Sequence, residues 1–162
     1  MCTIQEKMSV IAANMSLFLG LTAVELEPLM RFTRLDRVRP GDTIIVEGQR
    51  GEYLFLILEG RFKVVLDGYS KQQRVSGIYL NTLTQYDCFG EYCLLDGQPT
   101  SASVIAIAAA RLLKIPYTDF KNWLAGDDRI AQIVYRNLSQ LLVYRLRQKD
   151  LELDLDIMPV IA

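Results

Sequence analysis

The sequence predicts a mainly β fold flanked by helices, and three observations support this prediction. From Phe32 onward the hydrophobic pattern alternates with a period of two, as in strands with one buried face. Glycine-containing turns separate short apolar runs such as TIIVEG, YLFLILEG and RFKVVLDG at intervals of about 8–12 residues, which is typical of a β-sandwich or barrel. Helical patterns precede and follow this region, and no strand–helix alternation indicates a parallel sheet.

Two helices are predicted before the β region, within residues 1–31. Residues 4–15 carry apolar side chains at helical spacing. Thr22 and Glu25 have the spacing of a capping box, in which the hydroxyl accepts from the N3 amide and the carboxylate reaches back to the N-cap amide. We therefore expect a second helix from Thr22 to about Met30.

The strands occupy residues 32–116, and two more helices are predicted after Pro116. Residues 117–125 have the pattern of a short helix, and Asp127 or Asp128 begins a longer helix that is expected to reach about Asp150. Its apolar stripe, from Ile130 to Leu146, is wide enough to pack on the sheet and on a partner. The remaining tail, 151–162, begins with LELDLDI, which alternates leucine and acid at strand period.

Composition restricts the class of protein. A chain of 162 residues with 51% hydrophobic and 23% charged residues is expected to form one folded domain over residues 1–162. The net charge of -1 provides no field that attracts nucleic acid. The apolar N-terminal stretch is interrupted by Asn14 and Ser16, so we expect neither a secretory signal nor a membrane span, and a cytoplasmic location.

Residue types also exclude several chemistries. The sequence has no histidine, which excludes imidazole-dependent nucleophiles and imidazole metal sites. Cys2, Cys88 and Cys93 are an odd, sparse set, and we expect buried reduced thiols rather than disulfides or metal ligands. A hydrolase acting through Glu91 would lack a metal site or a second catalytic group. We therefore predict a protein that is not an enzyme and has no cofactor.

The segment Asp87 to Val104, DCFGEYCLLDGQPTSASV, has the composition of an anion cradle. A Gly-Glu pair, a short apolar turn and a Gly-Gln-Pro-Thr-Ser-Ala run can wrap backbone amides around an anion. No basic side chain lies anywhere in the segment. Whether this cradle binds an anion is the main functional question that the sequence raises.

A set of short motifs, in order and at suitable spacings, resembles one known family. The motifs are Leu17-Phe18-x-Gly20-Leu21, Pro40-Gly41-Asp42 with Glu47-Gly48, Leu54-Phe55-x-Ile57-x-Glu59-Gly60, Asp87-x-Phe89-Gly90-Glu91, Leu94-Leu95, and Ser101-Ala102-x-Val104. Together they resemble the cyclic nucleotide-binding domains of catabolite activator proteins and kinase regulatory subunits, over about residues 15–150. The resemblance implies a jelly-roll sandwich, also called a double-stranded β-helix, with an N-terminal helical bundle and a phosphate-binding cassette at residues 89–103.

The resemblance also implies roles for individual residues. Gly90 would allow close approach of the ligand, Glu91 would accept from the ribose 2′-hydroxyl, and amides around Tyr92 and Cys93 would face the cyclic phosphate. Asn81 would lie near the base, and Lys149 and Asp150 match positions that close over it. The full set of predicted ligand-binding residues is Phe89, Gly90, Glu91, Tyr92, Cys93, Thr100, Ser101, Ala102, Asn81 and Arg74.

Thr100 departs from the family pattern, which has arginine immediately before the Ser/Thr-Ala pair. A charge-assisted hydrogen bond contributes about 1.5–3 kcal/mol, so its loss should weaken the binding of a cyclic nucleotide by about one to two orders of magnitude. Either another cation offsets Glu91, or the ligand differs from that of the family, or the pocket is vestigial. Arg61 and Lys63 alternate with apolar residues and are expected to face solvent, which leaves Arg74 as the best candidate from sequence.

Two functional hypotheses remain open. The first is a stand-alone regulatory sensor that binds cyclic AMP, cyclic GMP or a related anion with an atypical cassette, forms a homodimer through residues 129–150 and signals by a hinge at Tyr117 to Gly126. The alternative is a degenerate domain that serves dimerisation or protein interaction, with the acidic tail docking to an unknown protein partner. Residues 151–162 are too few for a helix-turn-helix, so we expect no direct DNA binding.

Overall fold

Two four-stranded antiparallel sheets form the centre of the molecule, with the helices packed on one of them. The computed structural model describes the backbone of residues 4–66, 69–70, 73–74 and 77–157, and the side chains of residues 8–66 and 77–152. The described helices are α1 Ile4–Asn14, α2 Ala23–Met30, α3 Glu91–Asp96, α4 Tyr117–Ala125 and α5 Asp128–Ile157, with a 3₁₀ turn at Ser16–Phe18. This architecture confirms the predicted jelly-roll with flanking helices.

The strands follow the predicted β region closely. They are β1 Arg34–Val38, β2 Thr43–Ile45, β3 Tyr53–Glu59, β4 Phe62–Leu66, β5 Tyr69–Ser70, β6 Gln73–Arg74, β7 Ile78–Leu83, β8 Cys88–Phe89, β9 Ser103–Ala106 and β10 Ala110–Pro116. The first sheet has the order β1-β10-β3-β8 and the second β2-β9-β4-β7, while β5 and β6 form a separate hairpin. The run TSASVIAIAAARLLKIP therefore contributes one strand to each sheet.

Strand β3 shows why the apolar run YLFLILE is continuous rather than alternating. Leu54 and Leu56 point toward the helices and belong to the core formed with α1, α2, α4 and α5. Phe55 and Ile57 point into the sandwich and pack with residues of both sheets. Because both faces of this strand are covered, both sets of side chains are apolar.

Side-chain caps mark the starts of helices α2 and α5. The Thr22 hydroxyl accepts from the Glu25 amide, and the Glu25 carboxylate accepts from the Thr22 amide at 2.8 Å, which confirms the predicted capping box. The Asp127 carboxylate accepts from the amides of Arg129 and Ile130, so it caps the start of α5.

The predicted end of the last helix was wrong. Helix α5 continues through Ile157 rather than ending near Asp150, so the part of the tail from 151 to 157 is helical. The helix continues because leucine is a strong helix former and no Gly or Pro interrupts the chain between Asp128 and Pro159. The alternation of leucine and acid does not produce a strand here, since this segment joins no sheet.

Helix α5 is anchored near its middle. The buried Asn137 amide donates to the carbonyl oxygens of Leu17 at 3.1 Å and Leu19 at 2.8 Å, in the connection between α1 and α2. Ile130, Val134 and Leu138 are buried in the same core. Beyond this anchor the helix runs across the segment between β8 and β9, where the predicted cassette lies.

Candidate ligand-binding site

A cavity of about 420 Å³ lies between the second sheet, the predicted cassette and the C-terminal half of α5. Nine of the ten residues predicted to bind a ligand line it: Phe89, Gly90, Glu91, Tyr92, Cys93, Thr100, Ser101, Ala102 and Asn81. The tenth, Arg74, lies in β6, and its side chain is outside the described residues, so its predicted role stays a prediction. The fold thus gathers the cassette residues and Asn81 around one space.

Gly90 holds the start of the cassette close to β3. Its φ of +87° lies in the left-handed region, and a Cβ placed on it would lie 2.6 Å from the carbonyl oxygen of Tyr53. The Tyr117 hydroxyl donates to the Gly90 carbonyl. Only glycine allows this backbone conformation and this approach without strain, which is the reason for the Gly-Glu pair in the sequence.

Glu91, the first residue of α3, is only 3% exposed and forms an ion pair with a residue of α5. Nη1 of Arg145 donates to Oε1 of Glu91, and Nη2 of the same guanidinium donates to the Cys88 carbonyl. The Arg145 side chain is itself 15% exposed. The carboxylate that the family resemblance assigns to the ribose is therefore neutralised from within the chain.

The pKa values of this pair reflect burial and mutual attraction. Burial raises the pKa of Glu91 above its ordinary value of 4.5, and the positive charge of Arg145 opposes this rise. Burial alone would lower the pKa of Arg145, but the attraction of Glu91 together with that of Cys88, Tyr92 and Asp87 outweighs it and the pKa is raised. Arg145 therefore carries a full positive charge beside the cassette.

Thr100 uses its side chain to fix the turn between β2 and β3. Its hydroxyl donates to the Val46 carbonyl at 2.6 Å and accepts from the Gln49 amide at 3.1 Å. Its backbone amide donates to the Gln49 carbonyl, and its carbonyl accepts from the Gly48 amide, both at 2.8 Å. The residue that stands in place of the family arginine is thus committed to a structural turn.

Lys149 and Asn81 both line the cavity. The Lys149 ammonium donates to the Leu80 carbonyl and lies 2.7 Å from the Glu152 carboxylate. The side-chain oxygen of Asn81 accepts from the Thr82 amide at 2.8 Å. Asp150 is exposed and is not among the described lining residues.

Arg145 was not among the residues predicted from the sequence to bind a ligand. It is 54 positions from Glu91, and only the folded helix brings them together. A signal was present, because Arg145 lies one turn after Leu141 and Leu142, where the helix continues its inward-facing stripe. An arginine at such a position requires a buried partner.

The described residues can be compared with the sequence-based expectations on metal sites, cysteines and membrane spans. They contain no group of three or more Cys, Asp or Glu side chains that could hold a metal ion. Cys88 and Cys93 are buried and form no disulfide, as predicted, and burial raises the pKa of Cys88 to about 12. Cys2 lies outside the described residues. In the described part of the chain, no helix has both the length and the apolar character that a membrane crossing needs.

Comparison with known proteins decides the family. The sequence model of the cyclic nucleotide-binding domain family matches residues 35–127, more than half of the chain. The chain belongs to the cyclic nucleotide-binding domain family. The match extends from β1 to the end of α4 and includes the cassette, although Arg145 and Lys149 lie beyond it.

Curated relatives place this domain in different proteins. The chain is 33% identical over 139 residues to the cyclic AMP receptor protein of Thermus thermophilus, covering 86% of this chain and 61% of that protein. It is 32% identical over 143 residues to glutaminase 1 of Bradyrhizobium diazoefficiens, covering 88% of this chain and 22% of the enzyme. The chain thus spans about three fifths of the receptor protein and about a fifth of the glutaminase. The matched family is a ligand-binding domain rather than a catalytic one.

A solved relative from Trypanosoma brucei is the regulatory subunit of a cAMP-independent protein kinase A. It has a TM-score of 0.69 and 26% identity, covering 91% of this chain and 51% of that chain. A variant of that subunit has been solved with cAMP bound in its A site. It carries glutamate-to-alanine, threonine-to-arginine and valine-to-alanine substitutions. Its TM-score is 0.70 and its identity 26%, covering 91% of this chain and 52% of that chain.

Proposed function

We propose that this domain is a regulatory sensor that binds a cyclic nucleotide, cyclic AMP or cyclic GMP, in the cavity and transmits its occupancy through α5. One observation carries the proposal: the cavity has the cassette as one wall and α5 as the other, and the Glu91–Arg145 ion pair joins them. A ligand that fills this space contacts the helix directly, so binding and helix position are linked.

The size and chemistry of the cavity support a nucleotide-sized ligand. Its volume lies within the range of about 300–1,000 Å³ that is usual for small-molecule sites. Apolar side chains, including Leu80, Leu83, Phe89 and Val104, form most of the lining, and polar side chains such as Glu91 and Arg145 complete it. This arrangement suits a flat base on an apolar surface with the sugar and the phosphate beside Glu91.

The degenerate-domain alternative is not favoured by these observations. A domain retained only for protein interaction has no need for an open cavity lined by the family's ligand positions. The Trypanosoma subunit nevertheless shows that a related protein can be cAMP-independent, while an arginine-bearing variant of it binds cAMP. Thr100 is therefore the first position to test.

Signalling is proposed to pass from the cassette to α4 and α5. Tyr117 is the first residue of α4, and its hydroxyl donates to the Gly90 carbonyl. A movement of the cassette therefore displaces the start of α4. Gly126 and Asp127 connect α4 to α5. A small shift at Gly90 can thereby change the direction of the long helix.

Homodimerisation through residues 129–150 is part of the proposal. Tyr135, Val143 and Leu146 are exposed along α5 within this range. Apolar side chains at helical spacing on a long helix suit a symmetric helix pair. Light scattering at tens of micromolar should show a dimer, and a monomer at all concentrations would remove this part of the proposal.

The proposed ligand is tested by calorimetry with cyclic AMP, cyclic GMP and cyclic dinucleotides, on the wild type and on Thr100→Arg. We expect the wild type to bind a cyclic mononucleotide, and the variant to bind it about one to two orders of magnitude more tightly. Binding by the variant alone would support a silent, inherited pocket. No binding by either protein would overturn the proposed function.

A further inference from the structure

The positive charges that the described residues contribute to the cavity come from one helix. Among the described lining residues, the cations are Arg145 and Lys149, both on α5. Lys149 lies near the rim, with 38% of its side chain exposed, and its ammonium is held by Leu80 and Glu152. Arg145 is the deeper of the two, and it contacts the first residue of α3 directly.

From this arrangement we infer that Arg145 is the anion-binding residue of this domain, supplying from α5 the positive charge that the family pattern places in the cassette at position 100. The inference rests on the proposed function, because it concerns the same cavity. It adds that the phosphate is bound by a side chain of α5, the helix that is proposed to move, and not by a side chain of the cassette.

The geometry of Arg145 allows it to serve Glu91 and a ligand together. A guanidinium has five N–H donors in a planar fork, and its described bonds to Glu91 and to the Cys88 carbonyl account for two of the five. A phosphate beside Glu91 can therefore accept from the remaining edge of the guanidinium while both existing bonds persist. Planar, multiple donation of this kind is the reason that arginine binds phosphate well.

Electrostatics require such a cation. An anionic ligand placed next to the buried Glu91 carboxylate is repelled unless a positive charge lies between them or beside both. Thr100 provides none, because its hydroxyl is bonded to the Val46 carbonyl and the Gln49 amide. Ribose hydroxyls that donate to Glu91 would satisfy the carboxylate and leave more of the Arg145 charge for the phosphate.

A regulatory consequence follows from the location of Arg145. A cassette arginine binds phosphate whether or not the last helix is docked. Here the cations among the described lining residues lie on α5, so affinity for the anion and docking of α5 against the cassette are linked. An anionic ligand should stabilise the docked helix, and a neutral one should not.

The test compares cyclic AMP with adenosine, which lacks the phosphate, on wild type, Arg145→Gln, Thr100→Arg and the double variant. Arg147→Gln is the matched control, because Arg147 is an exposed arginine of the same helix that is not among the described lining residues. Arg145→Gln should weaken cyclic AMP at least about tenfold and change adenosine affinity less than about threefold. Arg147→Gln should change neither, and Thr100→Arg should restore cyclic AMP binding to Arg145→Gln.

Cyclic AMP binding by Arg145→Gln that equals or exceeds that of the wild type would overturn the inference while leaving the proposed function intact, since Arg145 would then compete with the ligand. Failure of wild type and Thr100→Arg to bind either compound would overturn both. Hydrogen exchange on the wild type gives a measurement that needs no variant to fold. Cyclic AMP should slow exchange of α5 amides at 142–150 more than adenosine does, and equal or faster exchange would contradict the inference.

Discussion

Arg145 donates to the buried carboxylate of Glu91 and to the carbonyl of Cys88, across 54 and 57 residues of sequence. This single side chain joins the last helix to the segment that the family uses to hold its ligand. It also places a positive charge beside a cassette that has no basic residue of its own.

The Glu91–Arg145 pair should be strongly coupled in stability. A double-mutant cycle with Glu91→Gln and Arg145→Met is expected to give a coupling free energy of about 2–3 kcal/mol by urea unfolding, because either single change leaves a buried group without its partner. The surface pair Glu59–Arg111, whose side chains are 60% and 50% exposed, is the control and should give at most about 1 kcal/mol. Equal coupling free energies in the two pairs would show that burial does not strengthen the Glu91–Arg145 ion pair.

The stability contributed by Glu91 should depend on pH with a defined sign. Because burial raises its pKa in the folded protein, the folded state holds the proton to higher pH than the unfolded chain does. The free energy of unfolding of the wild type relative to Glu91→Gln should therefore fall as pH rises from about 4.5 through the raised pKa. Urea unfolding at several pH values measures this difference, and a rise instead would mean that the attraction of Arg145 outweighs burial.

Gly90 and Gly97 form a matched pair, since both have positive φ and they bracket α3. Gly90→Ala should cost about 3 kcal/mol or more, because its Cβ meets the backbone oxygen of Tyr53 in addition to the dihedral strain. Gly97→Ala should cost only about 1–2 kcal/mol, since a Cβ placed on Gly97 would have no neighbouring atom within 4 Å. Chemical denaturation checks both values, and similar losses would contradict a tight Gly90–Tyr53 approach.

Asn137 should be one of the most sensitive polar residues of α5. Asn137→Ala removes two hydrogen bonds to the carbonyls of Leu17 and Leu19, and we expect a loss of about 2–3 kcal/mol in the free energy of unfolding. Asn14→Ala removes one exposed bond to the Val10 carbonyl and should change stability by no more than about 0.5 kcal/mol. Thermal or urea unfolding compares the two, and a neutral Asn137→Ala would mean that the apolar contacts alone anchor α5.

Local signals in the sequence predicted most of the elements. The Thr22–Glu25 capping box, the glycine-bounded strands and the helix from Tyr117 to Ala125 were all predicted, because each depends on neighbours within a few residues. The extension of α5 to Ile157 was missed, since leucine–acid alternation suits a strand or a helix and the choice depends on whether a sheet edge is available.

For the candidate site, the sequence by itself determined the family, the cassette and the absence of its arginine, because these are properties of adjacent residues in order. The tertiary structure decided which charge lies beside the cassette. The predicted role of Arg74 stays a prediction, because its side chain lies outside the described residues, and the cation described beside Glu91 is Arg145. Such a contact depends on the direction of α5 after its anchor at Asn137, and no spacing along the chain encodes where a long helix will cross a distant loop.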